Sequence, residues 1–467
     1  MNRCFLILPV LIVAGCAHYQ PAPLDAARIA DDFDRRTLTD NALHAFLETN
    51  HVSGAWPRES WDLDALTLAA FHFHPDLAVA RAQWSVATAG RKTAGERPNP
   101  TLSVSPAYNT TTAVPSPWLV APSLEVPIET AGKRGYRLAQ AERLAEAARL
   151  NLAVVAWRVR ARLRNCLVDL QSAREAEALL QAQWDLLTEQ VRLLEGQLEA
   201  GAVSGAEATP ARLAVDRARL GIQEAARQGV EARSRLAGAI GVPLAALEGV
   251  PVSFDGLDDV PAEPPTGEVR RQALLHRADL LAVLAEYAAA ESALQLEIAK
   301  QYPDIRLSPG YEFDQGDNKW SLGLSVTLPV LNRNQGGIAE AEARRAETAA
   351  TFQALQAQVL MEIDLALAAY HAALARGTDV ASLLANLTRQ ESTARMRHAA
   401  GDAARSDVLA AQIELVAGRL TQLAARTEMR RALGALEDAL QGPLPLPVPI
   451  EPLNTGIRSE AKPSIQP

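Results

Sequence analysis

Three groups of residues have types and spacings that could do chemistry. The first is a single thiol. Cys16 ends Val13-Ala14-Gly15-Cys16, behind a basic start at Arg3 and an apolar run over residues 5–14. So short a run cannot cross a bilayer as a helix, and it reads as a signal peptide over residues 1–15. Val13-Ala14-Gly15-Cys16 looks like a bacterial lipobox, which makes Cys16 the expected acylated first residue. An ordinary signal peptide cut nearby is the plain alternative. One acyl chain holds a membrane weakly, but lipoprotein cysteines carry several.

The second group is acidic. Glu207, Asp402 and Asp407 stand beside two glycine turns, Gly201-Ala202-Val203-Ser204-Gly205 and Gly401-Asp402-Ala403-Ala404. Carboxylates ringed around a pore favour cations; Asp and Glu in a first helical turn also cap it. For Glu207 and Asp407 both readings stand, and Asp402 is the better pore residue. The third group is a pair of motifs. One is Pro127-Ile128-Glu129-Thr130-Ala131-Gly132-Lys133-Arg134. The other is Leu328-Pro329-Val330-Leu331-Asn332-Arg333-Asn334-Gln335-Gly336. In the first, Pro127 ends a strand, Gly132 permits a tight backbone, and Lys133 and Arg134 open a helix. A helix N-terminus disfavours cations, so lipid phosphates are one possible partner. A structural junction is the preferred reading.

Nothing else in the chain reads as catalytic. It has no P-loop, no GxSxG and no HExxH, and no cofactor or bound metal is expected. His72 and His74 are two apart and face different ways on a helix, a poor chelate. Cys4 leaves with the signal peptide, and Cys166 stands alone in a helical stretch as a packed small hydrophobe. Asn109-Thr110-Thr111 matches a glycosylation sequon, which is empty behind a bacterial lipobox. A formal charge of −9 and a pI near 5.5 give no reason to expect a nucleic-acid partner.

These residues need elements to position them. Trp320, Leu322, Leu324, Val326 and Leu328 alternate with Ser321, Gly323, Ser325 and Thr327; Ile305, Leu307, Tyr311 and Phe313 alternate with Arg306, Ser308, Gly310 and Glu312. Strict alternation is a strand with one apolar face, and residues 314–318 between them are turn chemistry. The result is a hairpin over 303–330 with strands of about 10 residues, long enough to cross a bilayer when tilted. A weaker copy spans 100–128, where Trp118, Val120, Leu124, Val126 and Ile128 form one side. Asp76, Pro100, Pro106 and Tyr108 recur as Asp279, Pro303, Pro309 and Tyr311, 203 residues on. A constant offset across unlike residue types is the mark of duplication.

Helices flank both hairpins. They are expected at 61–96, from 133 to about 200 and 207–239, with Pro210 in the first turn of the last. In the second half they are expected at 267–300, 338–400 and 406–440. The two long ones, free of proline, would each be about 100 Å long. This divides the chain into an arm over 16–58, read as extended, a first repeat at 59–240, a connector at 241–266, a second repeat at 267–441 and a Pro-rich tail at 442–467. Four strands cannot close a barrel, and an open edge cannot stand in lipid. The chain must therefore share a barrel with other copies.

Over residues 60–440 the sequence resembles the TolC-type outer-membrane factors. The likeness is carried by the motif at 127–134, by Gln301-Tyr302-Pro303-Asp304 and by the motif at 328–336. Within the family they look most like the subgroup serving cobalt–zinc–cadmium efflux. The resemblance implies a mainly α chain with paired β-hairpins. It implies a homotrimer with a 12-stranded transmembrane β-barrel on a long periplasmic α-helical barrel, lipid-anchored in the bacterial outer membrane. It also implies two partners, a periplasmic adaptor and an inner-membrane RND-type pump. The turns around Gly201, Ser204, Glu207, Gly401, Asp402 and Asp407 become the periplasmic entrance, where adaptors dock and the pore is gated. The expected function is an exit duct for divalent heavy-metal cations. A duct for drugs or small organics, and an envelope lipoprotein without transport, are the alternatives.

Overall fold

The computed structural model describes residues 19–50, 55–111, 115–257 and 267–442. Cys16, part of the connector and the tail from 443 lie outside them. Helices α1 (Ala26–Asp34) and α2 (Asn41–Thr49) open the described chain, each started by an aspartate, Asp25 or Asp40, that accepts a backbone N–H. The extended-arm reading is thus corrected. Nine-residue helices leave too little periodicity to read, yet Leu38, Leu43 and Leu47 are buried. Arg36 pins the segment by donating to the carbonyls of Phe73 at 3.1 Å and Gly241 at 2.8 Å.

The helix expected at 61–96 is two, α3 (Leu63–Phe73) and α4 (Pro75–Gly95), parted at an extended His74. Pro75 opens α4, where its missing N–H costs nothing. The second half breaks at the equivalent place, Arg277, between α7 (Gly267–His276) and α8 (Ala278–Ala299). No proline marks that break. The buried Arg277 guanidinium donates to the Ala439 carbonyl at 2.7 Å, Asp279 at 2.7 Å and Glu362 at 3.2 Å. Gln441 accepts the Ala278 N–H at 3.0 Å. Tertiary contacts, not local sequence, end α7.

Strands β1 (Thr101–Tyr108), β2 (Trp118–Ile128), β3 (Ile305–Asp314) and β4 (Asp317–Val326) form one antiparallel sheet in that order. The β3–β4 turn is only Gln315-Gly316, both at positive φ. So β4 starts and ends earlier than the alternation suggested, and Pro127 lies inside β2, paired with Arg306. The long helices are α5 (Lys133–Glu199, 67 residues) and α9 (Gln335–Ala399, 65 residues), followed by α6 (Gly205–Ile240) and α10 (Arg405–Leu440). Pro210 is the sixth residue of α6, in its second turn. On the sheet side the helices lie in the row α4–α5–α8–α9; on the far side the row is α6–α5–α10–α9.

Two apolar cores sit part-way along the long helices. One joins α2, α3 and the end of α6 to α5; the other joins α7, α8 and the end of α10 to α9. Buried positions repeat at an offset of 200: Val159 and Val359, Leu163 and Ile363, Cys166 and Ala366, Leu170 and Tyr370. Burial pushes the Cys166 thiol up to about 11, so it stays a neutral, inert packing group.

Between the cores, α5 meets α10 through charge. Arg164, Arg430 and Glu437 are all at most 5% exposed. Arg164 donates to the Arg430 carbonyl at 3.2 Å and lies 3.5 Å from Glu437; Arg160 is equally close to Glu437. A Cβ on Gly434 would press on the Arg164 guanidinium and displace it from this seam. Trp157 donates its indole N–H to Asp438 at 3.2 Å. Burial lifts the Asp438 carboxyl to about 6, against the Trp157 hydrogen bond and the Arg164 charge. A raised carboxyl favours the folded state when protonated. That contribution is full below the unfolded pKa near 4 and is lost as pH rises through about 6. Asp438→Asn keeps the acceptor and removes the buried charge. We expect it to stabilise the protein by roughly 2–3 kcal/mol at pH 7.5 and by only about 1 kcal/mol at pH 4.5. Thermal melts at both pH values check this; equal shifts at both would contradict it.

Candidate functional site

Three places along the molecule have functional geometry: the sheet, its collar with the long helices, and the far turns. On the sheet the register gathers one face. Leu102, Val104, Pro106 and Tyr108 of β1 pair with Leu124, Pro122, Val120 and Trp118 of β2. Ile305, Leu307, Pro309 and Tyr311 of β3 pair with Val326, Leu324, Leu322 and Trp320 of β4. The β2–β3 register sets Ile128, Val126 and Val120 beside Ile305, Leu307 and Phe313, so this apolar face is continuous. Its residues are open: Trp320 is 83% exposed and Leu322 71%. At the turn end, Tyr108 stacks edge-on with Trp118 at 5.1 Å and Tyr311 tilts against Trp320 at 5.0 Å. That is the position of an interfacial aromatic girdle. The opposite face is polar, with Arg306 donating to Glu125 at 2.8 Å. Both outer edges, β1 and β4, are unpaired among the described residues.

The collar joins strand to helix. Ala131 and Gly132 lie at φ 56° and 72°, which turns the chain from β2 into α5. Lys133 is buried and donates from Nζ to the Tyr302 carbonyl and to Asp304 Oδ1, each at 2.7 Å. Asp304 also accepts the Thr130 N–H at 3.0 Å. Partial burial alone would raise Asp304, but these hydrogen bonds and the Lys133 charge hold it below the ordinary carboxylate value. Arg134 donates to the Gly95 carbonyl at 2.6 Å, and Arg137 to the Ala94 carbonyl at 3.4 Å. Of the two cations that seemed misplaced at the start of α5, Arg134 therefore sits at the negative end of α4, and Lys133 is answered by Asp304. Arg137 is also held bidentate by Glu129 at 2.5 and 3.0 Å.

The second junction is built on Asn334, at φ 60°, whose amide donates at 2.8 Å to both the carbonyl and the carboxylate of Glu297. Asn332 accepts the Asn334 N–H at 2.7 Å, and Gln335 accepts that of Arg333 at 3.1 Å. Pro329 lies in the loop before them and Gly336 is exposed in the first turn of α9. At Gly337 a Cβ would meet Asn334 Oδ1 at 2.6 Å and Glu297 Oε2 at 2.8 Å, so a larger residue would push this pair apart. Sequence reasoning gave no role to Glu129, Arg137 or Glu297 here: Arg137 meets Glu129 across the strand-to-helix turn, and Glu297 reaches Asn334 around a whole hairpin.

At the far end Gly201 and Gly401 both take left-handed backbone, at φ 73° and 82°. Ser204 precedes α6, and Glu207 accepts its N–H at 3.4 Å and its hydroxyl at 2.9 Å. Asp407 likewise accepts the Ala404 N–H at 3.1 Å. Both carboxylates occupy capping positions. Asp402 is different: its backbone N–H bonds Arg397 at 2.8 Å, while its side chain is exposed and accepts no hydrogen bond among the described residues. Arg405 ties the second turn to α5 through Glu189 at 2.7 Å. His74 is buried at the α3–α4 break, accepting the Asp76 N–H, and His72 stands beside Phe46 and Phe73. Among the described residues no group of three His, Cys, Asp or Glu is placed to hold a metal.

The sequence profile of the outer membrane efflux protein family matches residues 69–242 and 269–442, one match on each half. The chain belongs to that family. Membership makes it an outer-membrane transport duct, not an enzyme. Over 220 residues it is 28% identical to the cobalt-zinc-cadmium resistance protein CzcC of Cupriavidus metallidurans. That match covers 46% of this chain and about half of the relative, 51%. Among solved structures, CusC superposes with a TM-score of 0.66 at 18% identity, covering 83% of this chain and 94% of that one. VceC of Vibrio cholerae gives 0.66 at 20%, covering 82% and 96%. The outer-membrane channel OprN gives 0.65 at 19%, covering 81% and 89%. These likenesses speak for the fold.

The continuous apolar face of this efflux-family sheet generates a direct test of its orientation. Leu322→Lys puts a charge on that face in mid-strand, which should destabilise the membrane-inserted protein by about 2–4 kcal/mol. Ser321→Lys, on the polar face, should leave it nearly unchanged. The yield of heat-resistant, membrane-extracted protein measures both; equal loss from the two would invert the assignment of faces.

Proposed function

We propose that this chain is the outer-membrane exit duct of a tripartite efflux system, working as a homotrimer and exporting divalent heavy-metal cations. The observation that carries the reading is a four-stranded sheet with two open edges, set at one end of helices about 100 Å long. Three copies, edge to edge, would supply 12 strands for a closed barrel, and the helices would continue it as a tube toward the inner membrane. There the far turns would meet a periplasmic adaptor and, through it, an RND-type pump. The metal cargo rests on the likeness to the cobalt-zinc-cadmium resistance protein. Loss of the chain should sensitise its host to zinc, cadmium or cobalt and not to organic toxicants; the opposite pattern would move the cargo to small organics. A closed lipid bilayer with purified protein should conduct. Absence of conductance would leave a structural lipoprotein.

The anchor belongs to this proposal. Cys16→Ala should abolish incorporation of a labelled lipid precursor while the barrel keeps much of the protein in the membrane. Label retained in the variant would acquit Cys16.

Asp402 is the proposed cation-attracting residue of the entrance. Three copies close together would raise the local negative potential, and a narrow opening focuses that field. Asp402→Asn removes one charge per copy at nearly constant volume. It should lower cation preference in single-channel reversal potentials and weaken block by multivalent cations. Unchanged selectivity with the assembly intact would remove Asp402 from the pore.

A further inference from the structure

The α3–α4 break at His74 and the α7–α8 break at Arg277 are equivalent places, and they are built for opposite charges. In the second repeat the residue at the break is an arginine, charged at every working pH. Two carboxylates answer it, Asp279 at 2.7 Å and Glu362 at 3.2 Å. The first repeat keeps the first of these as Asp76, but α5 carries Arg162 where α9 has Glu362. The residue at its break is a histidine, 3% exposed. His74 Nδ1 accepts the Asp76 N–H at 3.2 Å and so caps α4, while Nε2 lies 3.4 Å from the Arg162 guanidinium. A neutral imidazole fits this place, because one ring nitrogen keeps a lone pair for the cap. An imidazolium would aim an N–H at the Asp76 N–H and add its charge beside a guanidinium.

The N-terminal segment is docked on the same spot. Arg36 donates to the carbonyls of Phe73 and Gly241, and Arg81 of α4 donates to that of Phe71 at 2.7 Å. The His72 ring lies 5.3 Å from Phe46 of α2 and 4.7 Å from Phe73. Asp40, which opens α2, and Asp76 are the acids facing the two imidazoles; Arg36, Arg81 and Arg162 are the cations. Three guanidiniums outnumber two carboxylates, so each further positive charge adds to an excess. Burial holds both imidazoles below their ordinary value; Asp40 opposes this at His72 and Asp76 at His74, and the guanidiniums add to it. A depressed imidazole supports the fold fully above the unfolded pKa near 6.5, and that support is lost as pH falls below it. We infer that the α3–α4 break is an acid-released clasp: protonation of His74, with His72 beside it, uncaps α4 and frees residues 36–47 from α3, while the equivalent break in the second repeat holds.

The test is hydrogen exchange on the full chain in detergent, read by mass spectrometry and corrected for the intrinsic effect of pH. Between pH 7.5 and pH 5, protection of residues 36–47 and 71–80 should fall about tenfold, while residues 274–283 keep theirs. His72→Phe with His74→Asn removes both titrating rings and leaves a capping acceptor; its protection should not change with pH. Arg162→Glu gives the first repeat the carboxylate of the second, so it should shrink the acid loss with both histidines in place. Equal protection of the unmodified chain at both pH values overturns the clasp, and so does an equal loss in the two repeats. A loss undiminished in Arg162→Glu overturns it as well, whether or not the double variant folds.

Discussion

Everything in this molecule follows from the backbone of its sheet. A strand at an edge presents N–H and C=O groups that water can satisfy and hydrocarbon cannot. Here an apolar face runs across all four strands, from Leu102 to Val326, so hydrocarbon is the natural surrounding. A four-stranded sheet in that surrounding is incomplete by itself. The duplication supplies two hairpins, and the β2–β3 pairing joins them into one sheet, yet β1 and β4 still face outward. Whatever closes the sheet must be chemically like β1 and β4 themselves, and another copy is the simplest such object.

The collar converts strand geometry into helix geometry without wasting hydrogen bonds. Two left-handed residues, Ala131 and Gly132, turn the first junction, and Asn334 turns the second. The first junction is locked across the repeats, where Asp304 holds Lys133; the second is locked within its own repeat, where Glu297 holds Asn334. Because Asp304 precedes the second hairpin and Lys133 follows the first, the first junction is complete only when the two hairpins are paired. The strand-to-helix angle is therefore a property of the whole sheet, and it aims α5 and α9 together.

Much of this was legible in the residues. Alternation located both hairpins, and proline-free stretches located the long helices to within a few residues of their ends. Two things were hidden. The breaks at His74 and Arg277 occupy equivalent places, but only the first is followed by a proline; the second depends on Ala439, Glu362 and Gln441, whose closeness no local pattern announces. The helices within the arm were missed for the opposite reason: they are short, and three leucines on a docked surface do not make a period. At the far turns the types were readable and the roles were not. Glu207 and Asp407 look like Asp402 in a sequence, and only their bonds to the preceding backbone separate them.

That separation bears on how a duct treats a charged cargo. A cation that is to pass must not be chelated, because a tight site slows exit as much as it helps entry. Carboxylates engaged at helix caps have part of their charge satisfied by N–H donors, so they contribute to the local field only weakly. The second repeat carries Asp402 where the first has Ala202, and Asp402 is an exposed carboxylate whose side chain accepts no hydrogen bond among the described residues. Asp402 alone is too little for a chelate from one chain; in the proposed closed ring it would sum to a multiple charge held apart by the ring's own diameter. Such an arrangement attracts cations through field alone. It would place no demand on the identity of a cation, and discrimination among cations would then fall to groups upstream of the turn.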